Sequence, residues 1–134
     1  MHNIQQLLHN VQNIALIGAT DKPGRPAHQV GQYLLQAGYT VFPVHPKRQN
    51  VWGLTTYPNL LDIQEQVDVV NLFRAREYCL QHAREALQLE TLPRAFWMQQ
   101  GISCQEAREL LEPLGVQVVE DTCIMVMHKQ GMQA

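Results

Sequence analysis

Short apolar runs alternate along this chain with stretches in which apolar residues return every three or four positions. Ile4, Leu7, Leu8 and Val11 recur at helical spacing and predict a short amphipathic helix over residues 3–11. The run Asn13-Ile14-Ala15-Leu16-Ile17 shows no polar alternation and stops at Gly18. That is the pattern of a parallel strand buried on both faces. A turn-rich segment runs from Ala19 to Pro26, after which Ala27, Val30, Leu34 and Leu35 again share a helix face. Pro26 suits the first turn of that helix and Gly38 the position just past its end. Thr40 to Val44 predicts a second strand, with Pro43 as an anomaly because proline cannot donate to a ladder. The stretch from His45 to Leu61 is irregular, punctuated by Pro46, Gly53 and Pro58. Val67 to Phe73 predicts a third strand, and residues 75–89 a helix with Cys79, Ala83, Ala86 and Leu87 on one face. Arg94 to Met98 predicts a fourth strand. Ser103 and Glu106 then stand at capping-box spacing ahead of Ala107, Leu110 and Leu111. Gly115 closes this helix, Val116 to Val119 reads as a fifth strand, and the tail is Met-rich.

Strands and helices alternating from end to end call for a parallel sheet, and right-handed crossovers wind it both ways. The expected class is therefore α/β: a Rossmann-like, doubly wound, mainly parallel five-stranded sheet with helices on both faces. The 134 residues suit one domain spanning 1–134, large enough to bury roughly two-thirds of its extended surface. Ten Lys and Arg against twelve Asp and Glu leave a net charge of −2, which argues against a general nucleic-acid binder. No apolar run is long enough to cross a membrane, and Met1 to Gln12 lacks the basic and apolar parts of a signal peptide. Cys79, Cys104 and Cys123 are odd in number, far apart and without a CxxC pair. Reduced thiols in a cytoplasmic setting are expected rather than a disulfide framework.

Doubly wound sheets bind ligands outside the carboxyl ends of their strands, near the point where the winding reverses. The segment Gly18-Ala19-Thr20-Asp21-Lys22-Pro23-Gly24-Arg25-Pro26 belongs there. Backbone N–H groups opening the next helix favour an anion. Thr20 adds a hydroxyl, Lys22 and Arg25 add charge, and a guanidinium can grip phosphate with two parallel hydrogen bonds. The segment is neither GxGxxG, since the glycine after Gly18 is Gly24, nor a P-loop. NAD-binding folds end the second strand with Asp or Glu for the ribose 2′-hydroxyl. Here Val44-His45-Pro46-Lys47-Arg48 replaces the carboxylate with a basic cluster, which favours a phosphorylated ribose. Coenzyme A, with a 3′-phosphate, and NADP, with a 2′-phosphate, both meet that condition. A capping turn with solvated charges is the plainer reading of the same residues.

Five pieces in order resemble a known family. They are Ile14-Ala15-Leu16-Ile17-Gly18-Ala19-Thr20-Asp21-Lys22-Pro23 with Arg25-Pro26, Val44-His45-Pro46-Lys47, Val67-Asp68-Val69-Val70-Asn71-Leu72-Phe73-Arg74, Trp97-Met98-Gln99-Gln100-Gly101-Ile102, and Asp121-Thr122-Cys123. The chain resembles the small stand-alone CoA-binding proteins of the YccU type. It resembles more distantly the N-terminal domain of the succinyl-CoA synthetase alpha subunit. The resemblance implies CoA or acyl-CoA lying across the strand ends, with NADP the weaker candidate. It implies that Gly18, Ala19, Thr20, Asp21, Lys22 and Pro23 line the phosphate loop with Arg25 beside it. It brings Val44, Pro46 and Lys47 to the adenosine and its 3′-phosphate, Phe73 and Arg74 to the pantetheine or pyrophosphate path, and Gln99, Gln100 and Gly101 to the end of the fourth strand.

Two positions depart from the pattern: His45 stands where relatives often have Asn or Ser, and Thr122 where they often have Arg. Ligase activity is not expected to transfer, because the synthetase needs a further domain and a partner subunit. The six histidines form no HExxH, and Cys79 with His82 has helical spacing but no second ligand pair, so no metal site is expected. His28 is placed on the helix after the phosphate loop, and Trp52 and Trp97 are read as packing residues. Cys104, at a helix start after Gln99-Gln100-Gly101, is the thiol singled out for a mixed disulfide with CoA. No nucleophile–base–orienter set is visible. The expectation is a CoA-binding protein, a non-catalytic or accessory module acting alone, as a homodimer or with an unknown partner. The alternative is an NADP-dependent oxidoreductase or a component of an acyl-CoA enzyme.

Overall fold

The computed structural model describes residues 3–132. Five strands form one sheet: β1 (Asn13–Ile17), β2 (Thr40–Val44), β3 (Val69–Leu72), β4 (Ala95–Met98) and β5 (Gln117–Val119). They pair in the order β2-β1-β3-β4-β5, all in parallel. Five α-helices accompany them: α1 (Ile4–Asn10), α2 (Pro26–Gln36), α3 (Cys79–Leu87), α4 (Gln105–Leu111) and α5 (Ile124–Met132).

Alternation along the strands separates two cores. Ala15, Ile17, Val70, Leu72, Phe96 and Met98 face Cys79, Ala83 and Ala86 of α3 and Ala107 and Leu111 of α4. Their neighbours Ile14, Leu16, Val69, Ala95 and Trp97 face α1, α2 and α5. Because both faces are covered, the strands read as continuous apolar runs. The chain passes from β1 through α2 to β2 on one face, then crosses β1 to reach β3 and continues on the other. The winding therefore reverses between β1 and β3, where doubly wound sheets hold ligands.

Pro43 fits because β2 is the sheet edge. Its carbonyl points away from β1 and accepts from Tyr57 N–H at 2.9 Å, so the missing donor lies outside the five-stranded ladder. The helix predicted over 75–89 begins as a 3₁₀ turn, Arg76–Tyr78. The capping box expected at Ser103 and Glu106 does not form. Cys104 is the N-cap and supplies no side-chain cap, while its N–H donates to Glu120 Oε2 at 3.0 Å. The Met-rich tail, given no element from its sequence, is α5. It buries Ile124 and is tied down by Gln5 Nε2 donating to Met127 O (2.9 Å) and by Tyr33 Oη against His128 Nδ1 (2.6 Å).

A buried polar link crosses the sheet near its carboxyl edge. Asn71 Nδ2 donates to Gln99 Oε1 at 3.1 Å, and the same oxygen accepts from Ile124 N–H at 3.0 Å. A backbone N–H can only donate, which fixes this atom of Gln99 as oxygen and turns its NH₂ away. Asn71 Oδ1 is buried with no partner among the described residues.

Candidate functional site

A cavity of about 1000 Å³ runs along the carboxyl edge of the sheet. Its wall takes Gly18, Thr20 and Arg25 from the loop after β1, Pro26, Ala27, Gln29 and Val30 from α2, and His45, Pro46, Lys47 and Arg48 from the turn after β2. Phe73, Arg74 and Ala75 follow β3, Gln99, Gln100 and Ile102 follow β4, and Cys123, Met125 and Val126 close the far end at α5.

The loop after β1 is held by its backbone. Gly18 has φ of +92°, and its N–H and that of Ala19 both donate to Val44 O, at 3.0 and 3.3 Å. An added Cβ at Gly18 would lie 2.4 Å from Phe73 O, so only glycine lets the tips of β1 and β3 approach this closely. Thr20, 4% exposed, accepts Lys22 N–H at 3.2 Å and shapes the turn, keeping its own O–H free to donate. Arg25 is the N-cap of α2; its guanidinium, a donor only, cannot cap the helix N–H groups, and it lines the cavity.

The turn after β2 is built on an imidazole. His45 Nδ1 accepts from Lys47 N–H (3.0 Å) and Arg48 N–H (3.1 Å). Burial, then Arg48, Arg74 and Lys47, hold His45 below the usual imidazole range, so it stays the neutral acceptor this turn requires. Arg48 Nη1 donates to Ala19 O at 3.0 Å and joins the two loops. Arg74 sits over the Tyr78 ring, 4.2 Å from its centroid. Arg25, Lys47, Arg48 and Arg74 thus converge on one cavity whose described wall carries no Asp or Glu. Such a cation set in a concave site attracts a polyanion.

The expected site residues divide in two groups. Gly18, Thr20, Arg25, Pro46, Lys47, Phe73, Arg74, Gln99 and Gln100 line the cavity. Ala19 and Val44 do not: their side chains are buried in the two cores, and they reach the loops only through backbone hydrogen bonds. Asp21, Lys22 and Pro23 are exposed in the same loop outside the wall, because the turn sealed by Thr20 carries them past it. Gly101 also lies outside, its N–H donating to Asp121 Oδ1 at 2.6 Å. Thr122 uses its hydroxyl to bond Glu120 O at 2.7 Å. His28 is not in the wall either; its Nδ1 accepts from Trp52 Nε1 at 3.2 Å. Trp97 is fully buried and bonds Thr122 O at 2.7 Å.

Cys104 is buried among α3 and α4 residues, away from the cavity, and Cys79 beside it is pushed up to about 11 by burial. Cys123 is the cysteine in the wall. His82 Nδ1 is taken by Glu85 Oε1 at 2.8 Å, and no metal-binding group of His, Cys, Asp and Glu occurs among the described residues. Ala27, Gln29, Val30, His45, Arg48, Ala75, Ile102, Cys123, Met125 and Val126 also line the wall, although the sequence did not assign them to the site. His45 and Arg48 had a visible signal in the cluster after the second strand, and Ile102 and Cys123 lay within the matching pieces.

Residues 12–129 match the family described as CoA binding domain. The chain belongs to this family. It is 36% identical over 125 residues to the uncharacterized protein YneT of Bacillus subtilis, covering 93% of this chain and 91% of that protein. The solved structure of cell-free ID.343 from Thermus thermophilus superposes with a TM-score of 0.89 at 38% identity, covering 97% of this chain and 99% of the other. An ADP-forming acetate–CoA ligase of Archaeoglobus fulgidus is 26% identical over 128 residues, and the chain spans only 18% of its length. The family member therefore matches small proteins over nearly their whole length and a ligase over one part. Among the described residues no helix is long and apolar enough to cross a membrane.

Proposed function

We propose that this protein holds coenzyme A along the carboxyl edge of its sheet and serves as a binding or accessory module rather than as a complete enzyme. The observation that carries the reading is the polarity of the cavity. Arg25, Lys47 and Arg48 gather at the tips of β1 and β2, while Ile102, Met125 and Val126 form the opposite end. CoA has the same layout, with three phosphates on an adenosine at one end and an apolar-flanked thiol arm at the other. Lys47 and Arg48 suit the 3′-phosphate, and Thr20 and Arg25 suit the pyrophosphate. Family membership and the partial match to a CoA ligase support the same ligand. Among the described residues no hydrogen-bonded nucleophile–base pair faces the cavity, which favours binding without chemistry.

A thermal-shift series with CoA, acetyl-CoA, dephospho-CoA, NADP and NAD tests this. At about 100 Kd a ligand adds about 2.7 kcal/mol, or roughly 10 °C for a chain of this size. CoA should stabilise most and dephospho-CoA less. Stabilisation by NADP alone would move the assignment to a nicotinamide cofactor.

A further inference from the structure

Resting on the CoA reading, we propose that Cys123 is a redox docking point in this cavity, exchanging with the disulfide form of CoA to hold one CoA covalently. Parallel strands lie about 4.8 Å apart, so the cavity runs roughly 14 Å from the tip of β2 to that of β4 before it reaches Cys123. A nucleotide anchored by Lys47 and Arg48 would therefore send its thiol arm toward the Cys123 end.

Gln99 independently marks that end as a ligand site. It is 5% exposed, lines the cavity, and has its Oε1 taken by Asn71 and Ile124. Its Nε2 has no partner among the described residues. This NH₂ is an unused donor on a side chain that lines the cavity, and the amide carbonyls of a pantetheine arm are acceptors of the right kind. Val126, 44% exposed beside Cys123, leaves this end open, so the second half of a symmetric disulfide can project into solvent.

The chemistry balances without a further oxidant. The Cys123 thiolate attacks one sulfur of CoA disulfide, the S–S bond of that reagent breaks, and a Cys123–CoA S–S bond forms. The second CoA leaves as thiolate and takes up the proton Cys123 released. The two oxidising equivalents pass from one disulfide to the other. Cys79 and Cys104 are buried and should not compete.

The test uses the reduced, desalted full chain with CoA disulfide, read by intact mass and peptide mapping, beside calorimetry with CoA under reductant. The expected product is one CoA per chain, on Cys123, released by dithiothreitol and absent from Cys123→Ser. It should form at least about tenfold faster than the adducts from oxidised glutathione or pantethine, which lack the nucleotide that raises effective concentration. Excess reduced CoA should slow it. CoA binding in the calorimeter with no Cys123 adduct, or with equal rates for all three disulfides, overturns this inference and leaves the cofactor assignment standing. No heat with CoA overturns both. Mapping of the wild-type chain decides the point even if the serine variant folds poorly.

Discussion

Gly31 sits in the middle of α2, where glycine is about 1 kcal/mol worse than alanine. Its tolerance has a visible cause. A Cβ at this position would lie 2.1 Å from Cη2 and 2.2 Å from Cζ2 of Trp52. Trp52 itself holds a left-handed backbone, φ 56°, which is unusual for a bulky residue, and donates its Nε1–H to His28 on α2. The glycine is a slot for the indole, and the indole pins the segment carrying Lys47 and Arg48 against α2. Gly31→Ala should gain about 1 kcal/mol of helix propensity. It must then move the ring by more than an ångström, losing a hydrogen bond of about 0.5–1.5 kcal/mol and adding overpacking of about 1–3 kcal/mol. The net expectation is a loss of about 1–3 kcal/mol, or roughly 3–10 °C in Tm. With Trp52→Ala in the background the obstacle is gone, and the same substitution should stabilise by about 1 kcal/mol. Urea unfolding followed by circular dichroism on the four proteins of this cycle measures both steps at pH 7. A Gly31→Ala effect of the same sign in both backgrounds would refute the slot argument.

Gly18→Ala meets both a positive φ and Phe73 O at 2.4 Å, so it should lose about 2–5 kcal/mol in urea unfolding; a loss under 1 would show that the two tips are free to part. Lys47→Ala should weaken CoA about three- to tenfold in calorimetry at low salt and leave dephospho-CoA nearly unchanged, whereas equal losses would remove Lys47 from the 3′-phosphate. Because burial and nearby cations depress His45 in the native state, the unfolded chain takes up this proton first as pH falls. Its stabilising contribution is whole above about pH 6.5 and is lost as pH drops through the lower native value. His45→Asn keeps an acceptor but no titration, so wild type should lose stability relative to it on acidification; parallel pH profiles would contradict this. Asn71→Asp places a buried carboxylate against Gln99 Oε1 with no counter-charge. Burial should raise its pKa, so the deficit against wild type should be small near pH 4, where the acid can donate to Gln99, and grow as pH rises. A deficit independent of pH would show that the site admits water.

The strands were legible because each is buried on both faces, and that burial demands the uninterrupted apolar runs at Asn13–Ile17 and Ala95–Met98. Strand–helix alternation then dictated a parallel sheet, and the sheet dictated that the loop after β1 and the basic turn after β2 stand together. Fold class and the cationic end of the site were thus determined by sequence. The tail was not read as a helix because its methionines, with His128 and Lys129 among them, make a weak amphipathic pattern that only packing against α1 and α2 resolves. The same packing decided which thiol faces the cavity. Cys104 has the helix-start position that draws the eye, yet α3 closes over it, while Cys123 is carried to the wall by the start of α5. Likewise Ala19 and Val44 belong to the matching motifs but spend their side chains on the cores, and Gly31 and Trp52, far apart in sequence, acquire meaning only as slot and ring. Local spacing fixes what a residue can do along its own element. Which residues share a cavity depends on contacts between elements that are distant in the chain, and those exist only once the sheet has closed its order.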